Sequence, residues 1–291
     1  MSKSLGNVIN PIEVIDQYGS DALRMGIVAG RAPAVNRGYD SRRVEEARNF
    51  CNKLWNIARY CESAVGKGYK PGSKPEPKSA ADHWMLLKLQ QSTETLEQYL
   101  DEYRFAEAYE LLYHFVWDEV ADWYIEASKS QESREVLGYV LESVLKLAHP
   151  FAPFVTETIW QTLYSDTDSM LITAAWPKIP AGSKKEASEF EELRAIIIET
   201  RGLVKSLGLS KPNLYYTDVP FLADNTDILK RLGALGKVAE VESGTGLQLT
   251  STKYDCWLDV DSDTLKAYGQ KLVEQGRGTG QGAAGLASTL G

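Results

Sequence analysis

The sequence predicts a mainly α-helical protein in which a helical bundle is followed by a small α+β unit. Apolar residues recur at intervals of three and four along five long stretches between residues 41 and 163, as in amphipathic helices. Connectors rich in proline and glycine separate several of these stretches. Beyond residue 207, short runs rich in aromatic and β-branched residues indicate strands instead.

The first elements carry clear boundary signals. Asn10 as N-cap and Pro11 as the first helical residue predict a short helix that ends at Gly19, and Ser20 begins a second helix. The signals that follow predict a Gly-, Pro- and Arg-rich loop at 29–40, a long helix from Ser41 to near Ala64, and a polar connector at 65–80.

Four further helices complete the predicted bundle. Each carries an apolar stripe wide enough to pack against several neighbours. The pattern places these helices at about 82–101, 104–128, 132–148 and 151–163.

The α+β unit follows a second proline-rich connector. A helix is predicted at about 189–207 and another near 224–235, and a last helix begins near Asp263. Four short strands are predicted in the runs NLYYTDV, KVAEVE, LQLTS and DCWLDV. The glycine-rich residues 276–291 predict a disordered tail.

The bulk numbers are those of a globular protein with a large core. The chain has 291 residues, 43% of them hydrophobic and 25% charged, which suggests one to three domains. No apolar run approaches the roughly 18 residues of a membrane-spanning helix, and no export signal is recognisable. Cys51, Cys61 and Cys256 form no CxxC pair, so we expect reduced thiols in a cytoplasmic protein without a structural metal.

The charge distribution is uneven. The net charge is −8, which argues against nucleic-acid binding over the whole surface. Residues 1–60, however, hold nine Lys and Arg against six Asp and Glu, whereas the remainder holds 23 against 34. A local basic zone of this kind can still hold RNA.

The string MSKSLGNVINPIEVIDQYGSDALRM at the start of the chain resembles the second signature of class I aminoacyl-tRNA synthetases and the segment that follows it. The family motif reads Lys-Met-Ser-Lys-Ser, and its leading lysine would precede Met1. The resemblance implies that Lys3 stabilises negative charge on the β- and γ-phosphates of ATP during amino acid activation, as a catalytic residue. It also implies that Ser2, Lys3 and Ser4 bind ATP, with Mg²⁺ accompanying the nucleotide.

A second string, RRVEEARNFCNKLWNIARY at 42–60, resembles the helix that opens the anticodon-binding bundle of the valyl, isoleucyl and leucyl branch, and it is closest to the valyl group. Residues 105–129 and 149–160 also resemble valyl-type bundle sequence. The resemblance implies that tRNA-Val is the partner. Basic side chains suit phosphates or base edges and a tyrosine ring can stack on an unpaired base, so the expected anticodon contacts are Arg42, Lys53, Asn56, Arg59 and Tyr60.

The resemblance also predicts a domain order and a missing half. It implies the end of a catalytic core with a stem-contact segment at 1–40, the anticodon-binding bundle at 41–180, and the α+β unit with the start of a coiled-coil arm at 181–275. The His-x-Gly-His signature and the editing domain of the family are absent from the sequence. We therefore expect a C-terminal fragment that meets ATP and valine only through an N-terminal half and does not aminoacylate alone.

Two alternatives stay open. One is a fragment of an isoleucyl-tRNA synthetase, although many bacterial forms carry a C-terminal cysteine pair placed for zinc and no such pair is present. The other is a freestanding, non-catalytic helical module that binds RNA or a protein. Neither DNA nor a membrane is an expected partner. The carboxylates of Asp118, Asp122 and Glu126 are expected to form a solvated or ion-paired face rather than a metal site.

Overall fold

The structure, a computed structural model, describes residues 9–30, 39–66, 69–130, 134–164 and 169–279, with side chains up to residue 270. It divides into two compact units, Met1–Ala187 and Ser188–Gly291. Together the elements confirm the predicted fold class, which is mainly α with a small α+β unit after the bundle. The finer domain boundaries stay a prediction.

The first unit begins with the two short helices that the capping signals predicted. Helix α1 spans Pro11–Tyr18 and helix α2 spans Ser20–Val28. The Asn10 side chain accepts a hydrogen bond from the backbone N–H of Ile12, which satisfies one of the unpaired donors at the start of a helix. Gly19, with φ of 92°, makes the sharp turn between the two helices.

Helix α2 packs closely against the long helix α3, Ser41–Val65. A Cβ atom added to Gly26 would lie 2.7 Å from a methyl group of Val44, so only glycine permits this approach. The Arg43 guanidinium donates a hydrogen bond of 2.7 Å to the carbonyl of Ala29 at the end of α2. The first two helices are therefore tied to the N-terminal half of α3.

The bundle is completed by helices around a core that contains the fully buried Trp84, Tyr124 and Phe50. Ser79 and Asp82 form a reciprocal capping box at the start of the second long helix, and Asp82 also accepts a 2.7 Å hydrogen bond from Tyr124. The α-helical elements are α4 (Ala80–Asp101), α5 (Phe105–His114), α6 (Glu126–Ser128), α7 (Arg134–Ala148) and α8 (Pro153–Leu163).

One helix differs from its prediction. The sequence predicts a continuous α-helix over 104–128, whereas Phe115–Ile125 is a π-helical segment between α5 and α6. Its buried residues include Phe115, Val120 and Ile125, at intervals of five. In an α-helix, residues five positions apart do not lie on one face. The wider turn of a π-helix brings such residues closer to one face, here the face on the core.

The second unit is a four-stranded sheet with short helices. Helix α9 (Lys184–Leu207) leads into it. The strands are β1 (Leu214–Tyr216), β2 (Val238–Glu240), β3 (Leu247–Gln248) and β4 (Cys256–Leu258), in the order β2-β1-β4-β3. Strand β1 pairs parallel with β2 and antiparallel with β4, and Leu214 and Tyr216 face the buried side of the sheet. The remaining elements are the helices α10 (Pro220–Asp224), α11 (Thr226–Leu232) and α12 (Ser262–Thr279). Helix α12 thus continues four residues into the segment predicted to be disordered, and residues 280–291 lie outside the described part.

A single carboxylate organises the turn before β4, and it predicts a pH dependence. Glu199 on α9 accepts hydrogen bonds from the backbone N–H groups of Thr250 and Ser251, each at 2.8 Å, and from both hydroxyls. Burial raises the pKa of Glu199, but these hydrogen bonds outweigh it and hold the pKa below its ordinary value of 4.5.

A carboxyl group whose pKa is lower in the folded state stabilises that state fully above its unfolded pKa. The stabilisation is then lost as the pH falls from about 4.5 through the lower folded value. We expect the second unit to lose stability over this acidic range, and hydrogen exchange at the Ser251 amide should report it. In Glu199→Gln this acid sensitivity should be reduced, and an unchanged pH profile in that variant would contradict the assignment.

Candidate nucleic-acid interface

The residues expected to bind ATP cannot be placed. Ser2, Lys3 and Ser4 lie outside the described residues. Their proposed roles stay predictions, and the site that the structure describes is on the helical bundle.

Four of the five predicted anticodon residues share one side of α3. At 3.6 residues per turn, Arg42, Lys53, Asn56 and Tyr60 fall within about 60° of one another around the helix. We call this side the Lys53 flank. The Asn56 side chain is exposed and makes no hydrogen bond with any described residue.

Arg42 begins this flank. Its guanidinium forms hydrogen bonds of 3.2 and 3.1 Å with the two carboxylate oxygens of Asp40, the N-cap of α3. These hydrogen bonds raise the pKa of Arg42 and lower the pKa of Asp40. The Arg42 side chain remains 84% exposed, so it is open to a phosphate from solvent.

Lys53 is held between an acidic and an aromatic side chain of the π-helical segment. Its ammonium nitrogen lies 3.1 Å from a carboxylate oxygen of Asp122 and 4.6 Å from the ring centre of Trp117. Trp117 is itself stacked on Tyr113, with ring centres 5.5 Å apart and planes at 15°. The cation is therefore fixed in place rather than free to move on its long side chain.

Tyr60 lies one helical turn or more further along the flank. Its hydroxyl is 3.0 Å from the hydroxyl of Ser128, and the ammonium of Lys129 lies 5.6 Å from its ring centre. Its side chain is half-buried. These contacts hold the ring at the surface, where it offers a π-face beside a positive charge.

A shallow cavity of about 240 Å³ opens beside the Lys53 flank. Its walls combine the aromatic rings of Tyr109 and Tyr113 with the carboxylates of Glu46 and Glu110. Burial, followed by the negative charge of Glu46, raises the pKa of Tyr113, so the hydroxyl stays protonated and can donate a hydrogen bond. The other lining residues are Ala29, Gly30, Arg43 and His114.

The carboxylates of the acidic row contact basic side chains, in keeping with the solvated or ion-paired face that the sequence predicted. Asp118 lies 3.0 Å from a ring nitrogen of His114, Asp122 pairs with Lys53, and Glu126 pairs with Lys129. Within the described residues no group of three or more potential metal ligands is gathered.

The fifth predicted residue lies elsewhere on the helix. Arg59 is about 120° around α3 from Lys53 and about 100° from Tyr60. It shares this adjoining edge of α3 with Arg48, Asn52 and Trp55, which the prediction omitted. The intervals of four, three and four residues between these side chains could have predicted this group from the sequence.

Over the described residues, the structure contains no helix that is both long and apolar enough to cross a bilayer.

Comparison with known proteins identifies related families on either side of α3. Residues 82–214 match the family model of the anticodon-binding domain of tRNA ligases, and residues 1–36 match the model of class I tRNA synthetases (I, L, M and V). In solved structures, a LeuRS from Agrobacterium radiobacter K84, in a ternary complex with tRNA and LeuAMS, shares the fold. Its TM-score is 0.52 at 14% identity, over 82% of this chain and 30% of that one.

The chain is also similar to several valine–tRNA ligases, and it spans about a quarter of their length. The relative from Anoxybacillus flavithermus is 39% identical over 74% of this chain and 26% of its own length. The corresponding values are 40%, 68% and 23% for Geobacillus kaustophilus and 38%, 72% and 25% for Staphylococcus epidermidis. These matches confirm the predicted resemblance. The chain belongs to the class I tRNA ligases of the isoleucine, leucine, methionine and valine group, and its residues 82–214 match their anticodon-binding domain.

Proposed function

We propose that this chain is the tRNA-binding part of a valine–tRNA ligase and that the Lys53 flank receives the anticodon of tRNA-Val. The observation that carries the proposal is the fixed position of Lys53 between Trp117 and Asp122, on the same side of α3 as Asn56 and Tyr60. The similarity to valine–tRNA ligases supports the choice of tRNA.

The chemistry of the flank suits an unstacked RNA loop. The Tyr60 ring can stack on one base, and this interaction is worth about 1–3 kcal/mol per base. Asn56 can form paired hydrogen bonds with a base edge, while Lys53 and Arg42 can bind phosphates. Lys53 is already close to Asp122, so its charge is partly compensated before RNA arrives. Binding therefore depends on the geometry of the cluster as well as on net charge.

The acidic side chains give a reason for base selectivity. Valine codons begin with guanine and uracil, so the matching anticodon bases are adenine and cytosine. Both bases carry an exocyclic amino group, and a carboxylate accepts a hydrogen bond from such a group. The Asp122 carboxylate is 55% exposed at the flank, which makes it a suitable acceptor.

The ATP chemistry belongs to the longer enzyme. There the carboxylate of valine attacks the α-phosphate of ATP and pyrophosphate leaves, with Mg²⁺ bound to the nucleotide. Lys3 would stabilise the charge that develops on the leaving pyrophosphate, and Ser2 and Ser4 would hold its oxygens.

We also place the protein in the cytoplasm. Its three cysteines are free, and burial raises the pKa of Cys51 to about 12, which keeps that thiol protonated and unreactive.

Binding to two transcripts tests the proposal. We expect the chain to bind tRNA-Val more tightly than a tRNA-Val whose anticodon is exchanged. The variant Lys53→Gln/Tyr60→Ala should lose about tenfold or more in affinity for tRNA-Val, because a stacking partner and a fixed cation are removed. It should also lose the preference for the natural anticodon. Fluorescence anisotropy at a stated salt concentration measures both quantities.

Lys70→Gln is the control for lost charge, since Lys70 is an exposed lysine on the connector before α4. It should bind nearly as the unaltered chain does. Equal affinity for the two transcripts, unaffected by the double substitution, would refute anticodon binding. It would favour a module that binds RNA or protein without reading this loop.

A further inference from the structure

The edge of α3 that adjoins the Lys53 flank carries a second group of RNA-compatible side chains. Arg48, Asn52, Trp55 and Arg59 follow one another at intervals of four, three and four, which places them within about 60° around the helix. All four are exposed, and the Trp55 side chain has 40% of its surface open. We call these four residues the arginine strip.

The two guanidinium groups of the arginine strip are not engaged by the described part of the protein. Neither Arg48 nor Arg59 forms a hydrogen bond or ion pair there, and their acidic neighbours along the helix, Glu45 and Glu62, form none with them either. Two other arginines of this unit are engaged. Arg24 donates to the carbonyl of Pro150, and Arg104 binds two glutamates.

The composition of the strip indicates its partner. Its two cations lie eleven residues apart, which is about 16 Å along an α-helix, and an exposed indole lies between them. Trp55 is the strip's one apolar residue, so the strip cannot supply the apolar centre that a stable protein interface buries. Cations that flank an aromatic face instead complement a nucleic-acid strand, which offers phosphates and a base to stack. The chain has a net charge of −8, so an edge with two arginines that form no ion pair with a described residue differs from most of its surface.

We propose that the arginine strip binds an RNA strand of the same tRNA, with phosphates on Arg48 and Arg59 and a base stacked on Trp55. This inference rests on the proposed function, because it takes tRNA as the ligand. The centre of the strip lies about 100° around α3 from the centre of the Lys53 flank, and the two surfaces adjoin at Asn56. Because phosphate contacts and stacking tolerate any base, the strip contributes affinity without reading the anticodon.

The salt dependence of tRNA binding tests whether the arginine strip contacts phosphates. We expect Arg48→Gln/Arg59→Gln to weaken binding to tRNA-Val and to reduce the slope of log affinity against log salt by about 1.4, since each phosphate contact on a single strand contributes about 0.7. Lys70→Gln/Lys74→Gln removes the same charge from exposed residues of the connector and is the matched control. Its slope should change by much less.

Stacking is tested separately at Trp55. Trp55→Ala should weaken binding about tenfold, while Trp55→Phe should retain most of the affinity because it keeps an aromatic face. Since the four side chains are exposed, each variant should melt at the temperature of the unaltered chain, which circular dichroism checks. Affinities within twofold of the control for both the arginine and the alanine variants would overturn the inference.

The two proposals fail in different ways. Loss of the arginine strip should weaken binding to tRNA-Val and to the anticodon-exchanged transcript by the same factor. Loss of the Lys53 flank should abolish the difference between the two transcripts. If the strip variants bind both transcripts more weakly, and the unaltered chain binds both transcripts equally, the arginine-strip proposal is supported and the anticodon proposal is refuted. If the strip variants bind tRNA-Val as tightly as the control variant, while Lys53→Gln/Tyr60→Ala removes the preference for the natural anticodon, the anticodon proposal is supported and the arginine-strip proposal is refuted.

Discussion

Replacing Glu142 by alanine is expected to lower the free energy of unfolding of the bundle by about 3–5 kcal/mol, because the change breaks a buried ion pair and leaves its partner unpaired. Glu142 on α7 is only 2% exposed. One carboxylate oxygen lies 2.7 Å from the ammonium of Lys146. The other accepts hydrogen bonds from the hydroxyl of Tyr69, at 2.6 Å, and from the backbone N–H of Gly72, at 2.8 Å.

The same carboxylate fixes the connector between α3 and α4 to the bundle. The ring of Tyr69 lies against Gly138, where an added Cβ would come within 2.6 Å of a ring carbon. Burial, together with the hydrogen bond to Glu142, raises the pKa of Tyr69, so its hydroxyl stays a donor. In the alanine variant we therefore expect the connector to detach before the bundle melts.

Two measurements follow this change. Thermal unfolding reports the loss of stability, and hydrogen exchange at the Gly72 amide reports release of the connector. Glu135→Ala is the matched control, since Glu135 is exposed on the same helix. It should shift the melting temperature little. If Glu142→Ala and Glu135→Ala melt alike, the buried network does not support the bundle as described.

Replacing Asp21 by alanine should loosen α2 from α8 at a cost of about 2–3 kcal/mol, since a carboxylate that accepts hydrogen bonds at a helix start is lost. Asp21 is 6% exposed. Its oxygens accept hydrogen bonds from the backbone N–H groups of Phe154, at 3.2 Å, and Val155, at 2.7 Å, in the first turn of α8. Without them, two backbone N–H groups at the start of α8 lose their partner.

Limited proteolysis of residues 9–30 should detect this change as faster cleavage than in the unaltered chain. Asp16→Ala is the control, because Asp16 is exposed on α1 and makes no hydrogen bond with a described residue. Asp21→Asn keeps one acceptor oxygen and should give an intermediate rate. Equal cleavage in all three variants would show that α2 is held by its contacts with α3 alone.

The fold class followed from the sequence because local signals and apolar periodicity agreed. The Asn10 cap, the Asp40 cap and the glycine after α1 lie where the boundaries were predicted. The π-helical segment was missed because Val116, Val120 and Trp123, spaced by four and three, also satisfy an α-helical stripe, so the sequence offered both patterns. Periodicity alone does not distinguish these two helix types.

The candidate site was predictable only in part. Spacing along α3 placed Lys53, Asn56 and Tyr60 on one side, as the structure shows. It could not show that Trp117 and Asp122, more than sixty residues away in sequence, hold Lys53 in place. Those partners depend on how the π-helical segment lies against α3, which is a tertiary property. Whether these residues bind tRNA stays a prediction.

The close packing of α2 on α3 bears on how this protein can diverge. Gly26 against Val44, and Arg43 on the carbonyl of Ala29, bring together the two ends of the segment that joins these helices. Because its ends are held, a longer segment adds only the slowly growing entropy of closing a larger loop. Insertions between these helices should therefore accumulate among relatives with little effect on stability, leaving that stretch open to selection for new contacts.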